Sequence, residues 1–291
     1  MNNSIKQMIV KILSFMPDKL YLSIMYKIRM GKMINWKSPK TLNEKIQWLK
    51  VYDRKPEYTQ MADKYAAKEY VARKIGEKYL IPTLGVWDSF EQIDFRLLPD
   101  RFVLKCTHDS GGLVVCRDKS KLDVEKARKI LATSLKTNYF YYGREWPYKN
   151  IKPRIIAEKY MEQLDDSGLT DYKFYCFNGK PQYLYVSKNL EDHHIATVTF
   201  VDMNWNKMPV ERTDYKSDKE MPIRPSQFDE MRRVAEILSK DHRFLRVDLY
   251  QINGEVYFSE LTFHPASGYM GVVPSEYDEF MGQYLKIKDR E

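Results

Sequence analysis

From the N-terminus, apolar positions first fall at helical spacing and only later at strand spacing. Residues 1 to 22, MNNSIKQMIVKILSFMPDKLYL, place apolar residues along one helical face interrupted by Lys11. Asp18 to Met30 continues the pattern until Gly31 stops it. Thr41-Leu42-Asn43-Glu44 has capping-box spacing and opens a further helix, so residues 4 to about 53 are expected to be helical. Ala62 to Gly76, ADKYAAKEYVARKIG, predicts another helix ended by its glycine. The period then shortens. Tyr79 to Pro82 leads into Val86-Trp87, and two short strands, Arg101 to Lys105 and Leu113 to Cys116, flank Gly111-Gly112. Asp123 to Asn138 returns to helix, Arg154 to Met161 is a strand, and Asp165 to Gly168 is an acidic turn. From Asp171 onward strands dominate: DYKFYCFN, a turn at Asn178-Gly179, PQYLYVSK, then HIATVTFVDMNW. Residues 206 to 225 are polar with three prolines and predict a long surface connection. Helices over Ser226 to Asp241 and Ser275 to Lys286 bracket a pair of alternating strands around Asn253-Gly254. Helices mixed with antiparallel hairpins predict an α+β fold.

That last hairpin, FLRVDLYQINGEVYFSELTFHPASG over Phe244 to Gly268, holds the most distinctive chemistry. Its first strand carries Arg246 and Asp248, and its second ends on Glu260 and Thr262. Two acids on paired strands suit a hard cation such as Mg²⁺, which needs only one or two carboxylates beside phosphate oxygens. The turn sets a condition. A two-residue loop would put Asp248 opposite Ser259, leaving the acids on opposite faces. A three-residue bulged loop would pair Asp248 with Phe258 and bring Glu260 to the same face on the diagonal. A shared metal is therefore expected to require the bulged loop.

Composition narrows the class. The 291 residues are 43% hydrophobic and 30% charged, ordinary for a globular protein. No run approaches the roughly 18 apolar residues that span a bilayer. The N-terminal stretch lacks a small-residue cleavage site, so it reads as an amphipathic helix rather than a signal peptide. Its expected role is docking on the protein body, with loose attachment to a membrane surface as the lesser alternative. Cys106, Cys116 and Cys176 form no CxxC pair and read as reduced thiols of a cytoplasmic protein. His193-His194 is the only close histidine pair, and no Cys/His cluster suggests zinc. A net charge of +8 invites an anionic partner, yet no Lys/Arg block marks a nucleic-acid arm.

Lys105 ends a strand just before ThrHisAspSerGlyGly. A glycine-containing turn can lay backbone amides over phosphates, with a lysine beside them as a point charge. Neither GxxxxGK[ST] nor GxGxxG occurs, so a Walker loop and a dinucleotide fold get no support.

Taken in order, the phrases TLNEKIQWLKVYDR, ADKYAAKEYV, FVLKCTHDSGG, DYKFYCFNGKP and RVDLYQINGEVYFSELTFHPASG resemble the ATP-grasp superfamily, and within it the TupA-like amidoligases of teichuronopeptide and capsular polysaccharide synthesis. The similarity covers nearly the whole chain. It implies a helical N-terminal segment (1–60) and an ATP-grasp domain (61–291), whose lobes 61–160 and 161–291 grip ATP and Mg²⁺, with Mn²⁺ as a substitute. By this resemblance Lys64 and Lys105 are phosphate lysines, and Ser110, Gly111 and Gly112 form the phosphate turn. Glu158, Lys159, Tyr160 and Met161 form the adenine hinge, and Asp165 (or Asp166) takes the ribose. Lys173 reaches a phosphate. Arg246 and Lys105 stabilise the transferred charge, while Asp248, Glu260 and Thr262 hold the metal. The superfamily usually has Asn where Thr262 stands, and a hydroxyl is the weaker ligand. His264 reads either as a satisfied loop histidine or, with Ser267 and Gly268, as an acceptor contact.

The implied reaction joins a carboxylate, such as a uronic acid in a surface glycan or its precursor, to an amino acid through an acyl phosphate. An ATP-grasp sugar kinase, a glycosyltransferase and a non-catalytic nucleotide-binding scaffold are the alternatives. The resemblance places the protein in the cytoplasm or at the inner membrane face. A positive basin around Lys64, Lys105, Lys173 and Arg246 is expected at the cleft mouth.

Overall fold

The computed structural model describes residues 15–109, 111–163, 169–189 and 195–287. Helix α1 (Asp18–Met30) ends where Gly31 turns left-handed at φ 72°. Helix α2 (Leu42–Tyr52) opens on the expected box: Thr41 accepts from the Glu44 amide and Glu44 reaches back to the Thr41 amide. Helix α3 (Glu57–Ala62) follows. The helix expected from Ala62 begins only at α4 (Ala66–Ile75), because Asp63 is spent as a cap: its carboxylate accepts from the Tyr65 and Ala66 amides at 2.8 and 3.1 Å.

Two antiparallel sheets follow. The smaller orders its strands β1 (Thr83–Trp87), β4 (Ile155–Lys159), β2 (Phe102–Cys106) and β3 (Leu113–Cys116). Helix α5 (Val124–Leu135) covers it, burying Ala127 and Leu131 against Phe102, Leu104, Ile155 and Ala157, and the short α6 (Phe140–Gly143) precedes β4.

The larger sheet uses β5 (Thr170–Phe177), β6 (Lys180–Lys188), β7 (Thr197–Asp202), β9 (Phe244–Ile252) and β10 (Glu255–Thr262) in the order β10-β9-β5-β6-β7. Successive residues of β5 serve two cores, as side chains alternate across a strand. Phe174 and Cys176 face α7 (Phe228–Ser239), with Met231, Val234 and Leu238. Tyr175 and Phe177 face the side where α2 supplies Leu42, Ile46 and Leu49. Ala67 and Val71 of α4 join the α7 core, so α4 sits with the large sheet rather than the small one. The stretch 206–225 is more than a surface connection: Met208 and Val210 are buried, and β8 (Glu211–Arg212) pairs with β11 (Val272–Val273). Helix α8 (Glu276–Gly282), shorter than expected, closes the described chain.

The β9–β10 hairpin reaches its register differently from either expectation. Asn253 and Gly254 both have positive φ, 52° and 84°, the signature of a two-residue type I′ loop. Pairing runs from Ile252↔Glu255 to Leu249↔Phe258, then shifts, so that Asp248 faces Glu260 and Arg246 faces Thr262. The extra residue, Ser259, is a bulge inside the strand. The bulge the metal site needs is present, but five residues beyond Gly254. Asp248 and Glu260 become direct cross-strand partners instead of diagonal ones.

His242, between α7 and β9, sits 5.5 Å from the Tyr58 ring and 5.9 Å from that of Phe263. Burial, aided by Lys55 and Lys74, pushes its pKa down to about 4. The unfolded chain therefore takes up this proton near pH 6.5 and the folded one only near 4. Stability should be complete above pH 6.5 and fall by about 3 kcal/mol as pH drops through that window. Urea melts between pH 7 and 4 should show this slope, and His242→Phe should flatten it. An unchanged slope in the variant would remove His242 as its source.

Candidate active site

The face of β9 and β5 that meets β10's end carries charge in alternating signs. The Arg246 guanidinium donates to both Asp248 carboxylate oxygens, at 2.7 and 2.6 Å, and to the Thr262 hydroxyl at 2.9 Å. The Thr262 hydroxyl in turn donates a hydrogen bond to Glu260 at 2.7 Å, and the Arg246 nitrogen nearest Asp248 is also 3.5 Å from Glu260. Both carboxylates thus flank the same Arg246 nitrogen. Lys173 stands 2.8 Å from Asp248 and 3.0 Å from Asp171, two residues away on its own strand. Asp248 is wholly buried, while Glu260 sits at the open edge. Partial burial pushes the Glu260 carboxyl up, but Lys64, Arg246 and Lys173, with the Thr262 hydroxyl, pull it down to about 2. Burial disfavours the Lys173 ammonium too, yet Asp171 and Asp248 hold its pKa well above the ordinary value.

These oxygens suit a hard cation. Among the described residues no group of three or more His, Cys, Asp or Glu side chains forms a metal cage. Two carboxylates and a hydroxyl match Mg²⁺, which takes its remaining ligands from water and phosphate. Asp171 keeps one buried carboxylate oxygen without a hydrogen-bond partner, so the face has spare acceptor capacity.

On the small sheet a carboxylate meets lysines from two elements, Lys105 of β2 and Lys68 of α4. Glu158 on β4 is buried between them, 2.5 Å from Lys68 and 2.6 Å from Lys105. Lys68 also donates to the Ile81 carbonyl and the Thr83 hydroxyl, at 2.7 and 2.9 Å. Burial alone would raise the Glu158 pKa, but Lys105 and Lys68 lower it below the ordinary carboxylate range. Lys64 donates to the Asp109 carbonyl in the turn after β2. That turn is tied down: Asp109 accepts from the Gly112 amide at 3.2 Å and from the Ser134 hydroxyl of α5. A side chain at Gly112 would come within 2.5 Å of Ser134 Oγ and 2.6 Å of Cys106 Sγ, so only glycine fits. The charges of the two sheets reach each other: Lys64 acts on Glu260, and Glu260 and Tyr250 of the large sheet act on Lys105 of the small one.

A TupA-like ATP-grasp family model matches residues 44–286. The chain belongs to the TupA-like ATP-grasp family. No curated protein matches it. Among solved structures it resembles a D-alanine–D-alanine ligase from Bacillus anthracis complexed with ATP at 14% identity, covering 70% of this chain and 53% of that one with a TM-score of 0.41. It also resembles the N5-carboxyaminoimidazole ribonucleotide synthetase purK (16%, 70% and 45%, TM-score 0.43) and the D-cycloserine synthetase DcsG (18%, 79% and 72%, TM-score 0.42). The chain spans about half the length of the first two.

In this TupA-like ATP-grasp chain the expected residues fall in three groups. Lys64, Lys105, Lys173, Arg246, Asp248, Glu260 and Thr262 interact with one another around the Asp248–Glu260 pair. Glu158 joins them, but as the counter-ion of two lysines. Of its hinge neighbours, Lys159 spends its amide on the Pro82 carbonyl at 3.0 Å with its side chain exposed, Tyr160 accepts from Arg117 at 3.2 Å, and Met161 is half-buried. Gly111 is exposed at the tip of the turn and Gly112 buried at its base. Ser110, Asp165 with Asp166, His193-His194 and residues 1–14 lie outside the described residues.

The third group is the loop after β10. Ala266 and Ser267 are left-handed, with φ of 47° and 52°. Lys50 of α2 holds them by donating to the Ser267 carbonyl and hydroxyl at 2.7 and 2.8 Å, and Gln47 donates to the Ser267 and Gly268 carbonyls. Gly268 must be glycine, because a Cβ would lie 2.6 Å from Gln47. His264 is buried 3.8 Å from Glu145, and burial with Lys50 and Arg54 holds its pKa well below the usual range. Burial pushes Lys50 down to about 7 and Glu145 upward, each partly offset by the other's charge.

Sequence reasoning passed over Lys68, Lys50, Gln47, Glu145 and Asp171. Two signals were readable: Lys68 is one helical turn from Lys64, and Lys50 occupies an apolar-face position four residues after Ile46. The cations of the expected basin differ in their partners. Of the four, Lys105, Lys173 and Arg246 each pair with a carboxylate, while Lys64 donates to the Asp109 carbonyl.

Proposed function

We propose that this protein is an ATP-dependent carboxylate–amine ligase. The carrying observation is the opposition of Lys105 on the small sheet, with Lys68 of α4 sharing its Glu158 partner, to Arg246, Asp248 and Glu260 on the large sheet. Such a cleft grips a polyphosphate from both sides and neutralises charge as the γ-phosphoryl group moves. Asp248, Glu260 and Thr262 would hold Mg²⁺, which would supply positive charge against the phosphates. Lys105 and Lys68 bind the phosphates, Lys173 adds a third ammonium, and Arg246 stabilises charge on the transferred group. The substrate carboxylate attacks the γ-phosphorus and ADP leaves. The amine then attacks the acyl phosphate, and phosphate departs with the amide formed.

The protein itself needs no nucleophile, and the thiols fit that reading. All three cysteines are buried, and burial raises their pKa values, to about 11 for Cys106 and about 12 for Cys176. They are not thiolates at neutral pH.

The acceptor we infer is a uronic-acid-bearing glycan or its precursor, and the amine an amino acid. Incubation with ATP, Mg²⁺ and panels of uronic and amino acids, followed by mass spectrometry, tests this. Hydroxylamine should trap the acyl phosphate as a hydroxamate. A phosphorylated sugar formed without any amine requirement would make the enzyme a kinase instead.

A further inference from the structure

The chain's charge surplus is concentrated at one end of the sequence. Its first 40 residues hold eight Lys and Arg against one acid, Asp18, so seven of the eight surplus positive charges precede residue 41. The family match begins only at residue 44. Asp18 is turned inward, paired with Arg54 at 2.7 Å. Lys19, Lys27, Arg29, Lys32, Lys37 and Lys40 are exposed.

Helix α1 has two apolar faces. Tyr21, Leu22 and Tyr26 are buried, Tyr21 donating to the Tyr142 carbonyl and Tyr26 lying 6.2 Å from the Tyr269 ring. On the outer face Leu20, Ile24 and Ile28 recur every fourth residue and are 52%, 42% and 70% exposed. Phe15 and Met33 extend the apolar surface beyond both helix ends. A helix already docked by one face has no fold-based reason to keep aliphatic side chains in water on another.

We propose that the outer face of α1 and its basic flanks form a docking surface for an anionic lipid bilayer. Aliphatic side chains bordered by lysines suit a helix lying in the headgroup region, where apolar burial and attraction to anionic lipid act together. Charge complementarity selects this occupant. A second copy would present the same positive face and repel it. No helix among the described residues is long and apolar enough to cross a membrane, so attachment would be peripheral. The opposite side of α1 touches Tyr269, the residue after Gly268, with Arg29 4.5 Å from that ring. Docking would therefore hold the loop after β10 about one helix diameter, roughly 10 Å, from the headgroups. The docking surface stands whatever chemistry the cleft performs.

The test is co-sedimentation of the full chain with vesicles of phosphatidylcholine alone or with about one-third phosphatidylglycerol. Binding to the anionic vesicles should be about tenfold stronger at low salt and should fall as salt rises. Leu20→Gln/Ile24→Gln/Ile28→Gln keeps helix-forming residues at exposed positions. It should lose binding about tenfold with an unchanged circular dichroism spectrum and melting temperature, and Lys27→Glu/Lys32→Glu should do the same. Equal sedimentation with neutral vesicles, or full binding by the glutamine variant, would overturn the proposal. So would a glutamine variant that binds vesicles normally but changes from oligomer to monomer, because the stripe would then be covered by a second copy.

Discussion

Asp248→Asn should abolish ATP turnover and destabilise the protein by about 3–5 kcal/mol, the cost of removing one partner from a buried ion pair. Asp248 is fully buried and holds Arg246 through two hydrogen bonds and Lys173 through a third. Asparagine keeps the shape but not the charge, so two buried cations lose their common counter-ion. Lys173 retains Asp171 at 3.0 Å, which places the loss chiefly on Arg246. Binding of Mn²⁺, followed by its electron paramagnetic resonance signal, should weaken in parallel, independently of turnover. A variant that melts as the parent does and turns over ATP within tenfold of it would remove Asp248 from both roles. Glu260→Gln makes the contrast. Glu260 lies at the open edge of the sheet, so metal binding should suffer while stability changes little.

What was legible beforehand divides along the range of the interaction. The Thr41–Glu44 box and the Gly31 stop are written within a few residues, and the structure has them as expected. Arg246, Asp248, Glu260 and Thr262 were legible because one hairpin carries them all. Their register was not. The decisive Ser259 bulge carries no glycine or proline to mark it, and is set by packing Phe258 and Leu261 into the same core on either side. Asp63 looked like part of a helix because its capping role depends on two amides beyond it. Lys68, Lys50 and Glu145 were invisible for a further reason. Each takes its meaning from a partner in another element: Glu158 on β4, Ser267 after β10 and Lys50 on α2. A lysine in the sequence looks solvated until the fold supplies its buried counter-ion.

Glu158 decides between two views of the small sheet, because they predict opposite signs. Lys105→Ala should lower ATP turnover by about 10²-fold or more, as loss of a single charge-stabilising donor does elsewhere. Lys68→Ala should match it, since both ammonium groups hold the same carboxylate from opposite sides. Glu158→Gln is the informative variant. If Glu158 serves mainly to recognise adenine, its amide should weaken nucleotide binding. If it is the internal anion that occupies the lysines until phosphate arrives, its removal leaves two ammonium groups facing each other without a counter-ion. The ligand-free protein should then lose about 3–5 kcal/mol. ATP would restore part of that loss by supplying the missing negative charge, so the rise in melting temperature on adding ATP should exceed the parent's. The geometry favours the second outcome, with both oxygens of Glu158 engaged at 2.5 and 2.6 Å. A smaller ATP-induced rise than the parent shows, together with a higher KM, would return Glu158 to the adenine.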